Sequence, residues 1–309
     1  MLLYQKVVLA GGNGYLGQVL ANYYKNLCHQ IVILSRKPAA TVGNISTVLW
    51  DGESEGSWER VLDGADMLIN LCGKNVNCRY TDKNKKAIIQ SRVKPTALLG
   101  RAISKLTHPP KLWINVTSAT IYRHAEDHAQ DEFAGEIGQG FSVEVCKEWE
   151  QTFFEAQTPG ARKVALRMGI VLGRGDGVFP RLLNLVKLGL GGKQGNGHQQ
   201  VSWIHEQDVA QITKWLLQHP EMDGIINCTA PQTVSNTNLM HTIRKCYGMP
   251  FGLPSPQWLL EIGARLIGTE TELILKSRWV APQRLLDAGY AFRFAGIASA
   301  ISNILKQKS

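Results

Sequence analysis

The stretch Lys6-Val7-Val8-Leu9-Ala10-Gly11-Gly12-Asn13-Gly14-Tyr15-Leu16-Gly17 decides the fold of this 309-residue chain. An apolar run ends in a glycine turn, and Leu16, Val19, Leu20, Tyr23, Tyr24 and Leu27 then recur at helical spacing. Glycines at 11, 14 and 17 permit a tight turn, close approach of the main chain to a pyrophosphate, and close helix–strand packing. The helix that opens here offers free N–H donors and the positive end of its dipole to an anion. A strand, a turn and a helix in this order are the context in which a glycine motif reads as a dinucleotide site.

Further apolar runs at residues 30–34, 47–50, 67–71, 112–116 and 163–168 alternate with helical periodicity, strongest over 82–105 and 140–156. The alternation predicts an α/β fold, a Rossmann-like doubly wound parallel sheet with ligands bound beyond the carboxyl ends of its strands. After Met168 it breaks up. Residues 173–177 and 188–197 are glycine-rich loops, 208–217 a helix and 225–227 a strand, and the chain from Pro231 onward is helix-rich and punctuated by prolines. The expected organisation is a dinucleotide-binding domain over 1–230, with loop insertions at 174–200, and a smaller C-terminal domain over 231–309 that closes the substrate cleft.

Lys and Arg number 34 against 25 Asp and Glu, a formal charge of +9. The basic clusters are short and not interleaved with aromatics, so nucleic acid is not the expected partner. No apolar run reaches the roughly 20 residues that cross a bilayer, and the N-terminus lacks the pattern of a secretory signal. Six cysteines, at 28, 72, 78, 146, 228 and 246, form no C-x-x-C pair, which predicts free thiols, no metal site and a cytoplasmic protein.

The second strand runs into Ser35-Arg36-Lys37. An NAD site places an acidic residue near here for the ribose 2′-hydroxyl, whereas a hydroxyl and a guanidinium suit a 2′-phosphate. NADP(H) is therefore expected over NAD(H). Asp51-Gly52 and Leu71-Cys72-Gly73 fall where an adenine and a ribose would lie.

The glycine turn is joined by Asn70-Leu71-Cys72-Gly73, Arg79-Tyr80-Thr81, Ser91-Arg92-Val93, Val145-Cys146-x-x-Trp149-Glu150, Gly195-x-Gly197-x-Gln199, Trp203-Ile204-His205-x-x-Asp208 and Pro282-x-Arg284-Leu285-Leu286. With these motifs the chain resembles the extended short-chain dehydrogenase/reductase superfamily, and most closely its atypical, YfcH-like epimerase-family branch. The resemblance implies NADP(H) contacts at Gly11, Gly14, Tyr15, Leu16, Gly17, Ser35, Arg36, Leu71, Cys72 and Gly73. It implies that Ser118, Tyr122 and the 168–170 turn surround the nicotinamide, with Arg92 on a helix contacting the cofactor from below. It leaves room for a homodimer through the two long helices without requiring one.

Members of that superfamily carry a Ser or Thr after the fifth strand and a Tyr-x-x-x-Lys helix. Here Ser118 stands in the serine register, but the helix 141–150 contains no tyrosine. Anchored on Glu150, Ser142 takes the tyrosine's place and Cys146 the lysine's; Lys147 is one residue on, about 100° around the helix. Ser118 and Tyr122 remain the catalytic candidates, with Glu144, Lys147 and His124 the other polar groups nearby. Cys146 on an apolar face reads as core, and His205 and Asp208 as hydrogen bonders at a helix start. Val201 stands where sugar-nucleotide epimerases carry an arginine that grips the substrate diphosphate. The expected activity is NADP-dependent oxidoreduction of a small carbonyl or alcohol of unknown identity. A non-catalytic redox sensor or regulatory protein, and an epimerase, are the alternatives. Residues 191–199 read as a substrate loop or a surface excursion, and 248–284, with Trp258, Trp279, Glu270 and Glu272, as the segment closing the cleft.

Overall fold

Val7 and Leu9 point to one face of the first strand and Val8 and Ala10 to the other, and all are fully buried. A strand apolar on both faces must be covered on both, which is the condition for a parallel sheet between helical layers. The computed structural model of the chain describes residues 2–258, 261 and 275–307; Glu270 and Glu272 lie outside them. Its elements begin with β1 (Tyr4–Ala10), α1 (Tyr15–Tyr24), β2 (Cys28–Ser35), β3 (Ile45–Leu49), β4 (Met67–Asn70), α2 (Asp82–Ser104), β5 (Leu112–Ser118), α3 (Phe141–Glu155) and β6 (Arg162–Met168). Then follow β7 (Ile170–Leu172), α4 (Val178–Lys187), β8 (Gln200–Val201), β9 (Trp203–His205), α5 (Glu206–Gln218), β10 (Gly224–Cys228), β11 (Val234–Ser235) and α6 (Asn236–Tyr247). Two helices close the described chain, α7 (Gln283–Asp287) and α8 (Ile297–Lys306).

Seven strands form one parallel sheet in the order β10-β6-β5-β4-β1-β2-β3. The winding reverses between β1 and β4, so the ligand crevice of such a sheet opens beyond their carboxyl ends. On one face Leu20 and Tyr24 of α1 and Val209, Ile212 and Leu216 of α5 pack with Val7, Leu9 and Ile31. On the other, Leu98, Leu99 and Ile103 of α2 and Phe153 of α3 pack with Val8, Ala10 and Val32. A third core joins Phe179, Leu182 and Val186 of α4, Leu239 and Ile243 of α6, and Ile297, Ile301 and Ile304 of α8 around Trp203.

The fold departs from the sequence reading where elements are short. Reading 174–200 as loop insertions missed α4, whose apolar stripe of Phe179, Leu182 and Val186 is hemmed in by glycines on both sides. The parallel pair β7–β9 and the antiparallel pair β8–β11 are too short to alternate visibly in the sequence. Among the described residues no helix is long and apolar enough to cross a membrane.

The chain after residue 275 returns beside the carboxyl ends of the strands. Arg278 N donates to Gln200 O (2.8 Å), Gln130 N to Trp279 O (2.7 Å) and Ser277 N to His124 Nδ1 (3.1 Å). His124 is thus a pin for this returning segment. Leu285 and Tyr290 enter the first core, and Phe294 enters the third and stacks on His205 at 3.9 Å between centroids.

Candidate functional site

Gly11 has φ +72°, a conformation a side chain strains, and a Cβ there would meet Cys72 Sγ at 2.9 Å. A Cβ on Gly17 would overlap the Gly12 carbonyl and stand 2.5 Å from Gly12 Cα. Gly14 is the N-cap of α1 without a side-chain cap, and nothing lies within 4 Å of where its Cβ would be. No side chain caps the first N–H groups of α1, an arrangement that suits an anion. Tyr15 and Leu16 contribute main chain to this turn and turn their side chains away. The Tyr15 hydroxyl donates to the Glu206 carboxylate and Leu16 packs on the first core. Burial raises the pKa of Glu206, and that of His205 beside it is lowered to about 4 for the same reason.

Ser35 ends β2 and is buried; its Oγ accepts hydrogen bonds from Lys37 N (3.0 Å) and from Asn13 Nδ2. The glycine turn and the end of β2 are thereby locked to each other, a link through Asn13 that spacing alone could not reveal. Arg36 and Lys37 are exposed beside it. Asp51 is exposed after β3, and its Oδ1 accepts from Glu53 N and Ser54 N, both 2.8 Å, which lowers its pKa.

Leu71, Cys72 and Gly73 continue β4 over the crevice, with Leu71 N donating to Ala10 O (2.8 Å) and Cys72 N to Asn70 Oδ1 (3.1 Å). Burial pushes the Cys72 thiol up to about 12, so it is no nucleophile. Gly73 makes room for Arg92, whose Cζ lies 3.0 Å from the position a Cβ would take. The guanidinium sits 5.1 Å over the Trp149 ring.

Ser118 ends β5, and its Oγ caps a short 3-10 turn over Ala119–Ile121, accepting from Thr120 N at 3.2 Å and lying 3.0 Å from Thr120 Oγ1. Tyr122 is a different matter. It is 1% exposed, its hydroxyl donates to Asn227 Oδ1 (3.0 Å), and the Arg167 guanidinium lies 4.9 Å over its ring. Burial raises its pKa. The Tyr122 side chain is thus an anchor of the core. Tyr122→Phe is expected to lower stability by about 1–3 kcal/mol, leaving Asn227 Oδ1 without its donor, without weakening nucleotide binding. Thermal unfolding and a nucleotide titration check this, and a large loss of binding would place Tyr122 in the site.

Beneath these residues Glu150 and Arg167 form a buried, two-pronged ion pair, Nε–Oε1 2.9 Å and Nη2–Oε2 2.7 Å, and Thr117 Oγ1 donates to Glu150 Oε1 at 3.0 Å. Burial opposes the Arg167 charge, but Glu150 outweighs it and the pKa is raised. On α3, Ser142 Oγ is buried without a hydrogen-bond partner, Cys146 is 3% exposed with its thiol pushed up to about 12 by burial, and Glu144 and Lys147 point to solvent. Val201 is 9% exposed and packs into the third core. Asp208 caps the returning chain, accepting from Arg293 N and Phe294 N at 2.8 and 3.0 Å. Among the described residues no three His, Cys, Asp or Glu side chains cluster as a metal site would require.

A glycine turn opening onto a helix N-terminus, at the point where a parallel sheet reverses, is matched by the family model for NAD dependent epimerases and dehydratases over residues 7–228. The chain belongs to the NAD-dependent epimerase/dehydratase family. A second model, a domain of unknown function, matches residues 255–304. The human epimerase family protein SDR39U1 is 30% identical over 306 residues, 97% of this chain and 99% of that protein. The epimerase family protein YfhF of Bacillus subtilis is 29% identical over 303 residues, 98% of each chain. The crystal structure of human SDR39U1 (isoform 2) with NADPH superimposes with a TM-score of 0.87 at 28% identity, covering 98% of this chain and all of that one. Within this epimerase-family frame the residues singled out in the sequence divide by position. Those at 11–17, 35–36, 51 and 71–73 follow the carboxyl ends of β1, β2, β3 and β4, Arg92 stands beside Gly73, Ser118 ends β5, and Tyr122 lies in the core.

Proposed function

We propose that the crevice binds NADP(H) and that the protein is an atypical short-chain dehydrogenase/reductase, an oxidoreductase of a small carbonyl or alcohol substrate. The observation that carries the cofactor reading is the pairing of an open α1 N-terminus at Gly14 with Ser35, Arg36 and Lys37 at the end of β2. The first suits a pyrophosphate and the second a 2′-phosphate. The related human protein crystallised with NADPH supports the same choice. Contacts would come from Gly11, Gly14, Tyr15, Leu16, Gly17, Ser35, Arg36, Asp51, Leu71, Cys72, Gly73 and Arg92, with Tyr15 and Leu16 contributing through main chain. Bound in this way, the cofactor supplies hydride chemistry; the chain's own residues position it, and Ser118 orients the substrate at the β5 edge.

Arg36→Asp is expected to weaken NADPH by about 10- to 100-fold and NADH far less, because only NADPH carries the charge that Arg36 faces. Equal losses in a binding titration would remove Arg36 from the site.

Ser142, whose Oγ is buried and unpartnered, and the buried Cys146 favour a second reading, an NADP(H)-bound sensor without turnover, since neither can transfer a proton as a tyrosine–lysine pair would. NADPH oxidation across a panel of ketones and aldehydes separates the two: turnover of any member supports the oxidoreductase, and tight binding with none turned over supports the sensor. Epimerisation of sugar nucleotides is the weakest reading, because Val201 offers an aliphatic side chain in the third core and no grip on a diphosphate. A homodimer through α2 and α3 would bury faces rich in exposed Lys and Glu, with Phe154 the one large exposed hydrophobe on those helices among the described residues.

A further inference from the structure

We infer that Arg92 supplies, from α2, the cationic group that position 146 of α3 lacks. Cys146 and Trp149 lie one turn apart on α3 and therefore present to the same side. Arg92 Cζ is 5.1 Å from the Trp149 ring centroid, and its charge acts on the Cys146 thiol, foremost among the three guanidinium groups of Arg92, Arg167 and Arg278 that do so. Lys147, the nearest lysine along α3, points to solvent. On its other side Arg92 abuts Gly73, 3.0 Å from where a Cβ would stand. The guanidinium is thus wedged between the β4 loop and α3 at the wall of the crevice.

Among the described residues only Nη1 of Arg92 donates hydrogen bonds. Nη1 donates to Ile88 O of its own helix (3.0 Å) and more distantly to Ser91 Oγ (3.4 Å), and among the described residues no carboxylate pairs with it. Arg167, by contrast, is neutralised by Glu150. Burial lowers the Arg92 pKa and outweighs the opposing influence of the Cys146 and Tyr80 side chains, the mark of a cation held partly out of water. Such a group is stabilised by an anionic or strongly accepting ligand. This rests on the NADP(H) reading and deepens it. A dinucleotide whose pyrophosphate sits on α1 and whose adenosine half lies over β2 and β3 would extend its other half to the β4 side of the switch point, where Gly73 and Arg92 stand. A guanidinium stays protonated, so Arg92 orients the cofactor and favours negative charge developing on a substrate oxygen, but delivers no proton.

The test moves the charge. NADPH affinity is measured by nicotinamide fluorescence for the full chain and for Arg92→Gln, Arg92→Lys, Cys146→Lys and the double variant Arg92→Gln/Cys146→Lys, with Lys94→Gln as a surface control. Arg92→Gln is expected to weaken NADPH about tenfold or more, and the double variant to regain most of that loss. Cys146→Lys alone places two cations together, so it should melt below the double variant. The proposal is overturned if Arg92→Gln loses no more than Lys94→Gln, or if the double variant binds as weakly as Arg92→Gln. Should neither Cys146→Lys protein fold, Arg92→Lys decides: tighter binding than Arg92→Gln supports a role for charge, and an equal loss overturns it. An unmodified chain that does not bind NADPH overturns the underlying cofactor reading, and this inference with it.

Discussion

Arg167→Met is expected to destabilise the protein by about 3–5 kcal/mol, because it strands the Glu150 carboxylate inside the fold. The pair is buried on both sides, with side chains 6% and 8% exposed, and joins β6 to α3. Thr117 Oγ1 and the Tyr122 ring complete the cluster at the end of β5, so the loss spreads to two strands and a helix. In a chain of this size that corresponds to a fall in melting temperature of roughly 10 °C. Thermal unfolding followed by circular dichroism measures it. Replacing both partners with apolar residues of similar volume is expected to cost far less than either single change, since no charge is then left behind. A single variant melting like the unmodified protein would show the pair to be solvated and the core around β5 and β6 differently packed.

Gly17→Ala is the second large effect. Its Cβ would overlap the Gly12 carbonyl, and both residues are backbone on either side of the same turn, so no side chain can yield. The first turn of α1 must move off β1 or unwind. A core overpacked in this way loses about 1–3 kcal/mol, and the displaced N–H groups should weaken NADPH about 10- to 100-fold. Gly14→Ala is the informative comparison, because a Cβ at 14 enters open space in the free protein. It should leave the melting temperature near that of the unmodified chain and act on nucleotide binding alone. If Gly17→Ala bound NADPH normally, the turn would not be a cofactor cradle.

The parts of the fold legible in the sequence are those whose signal is local. The glycine turn, the long helices and the buried strands each carry a pattern within about a dozen residues, and the doubly wound sheet follows from their order. Helix α4 was hidden because glycine runs flank a stripe only ten residues long. The site was legible where it lies along one strand end, as at Ser35-Arg36 and 71–73, and illegible where it depends on distant contacts. Arg92 meets Trp149 from another helix. Asn13 reaches across 22 residues to Ser35, and the Tyr122 hydroxyl is held by Asn227, 105 residues on. In the last case the motif register placed a tyrosine near the chemistry, but the side chain's direction was fixed by a strand the motif does not contain.

The most direct test of the account is a titration of the purified protein with NADPH and with NADH, following nicotinamide fluorescence and tryptophan quenching. The crevice built from Gly14, Ser35, Arg36 and Arg92 predicts tight NADPH binding and much weaker NADH binding. Equal affinity for the two would contradict the reading of Ser35 and Arg36, and binding of neither would contradict the cofactor site itself.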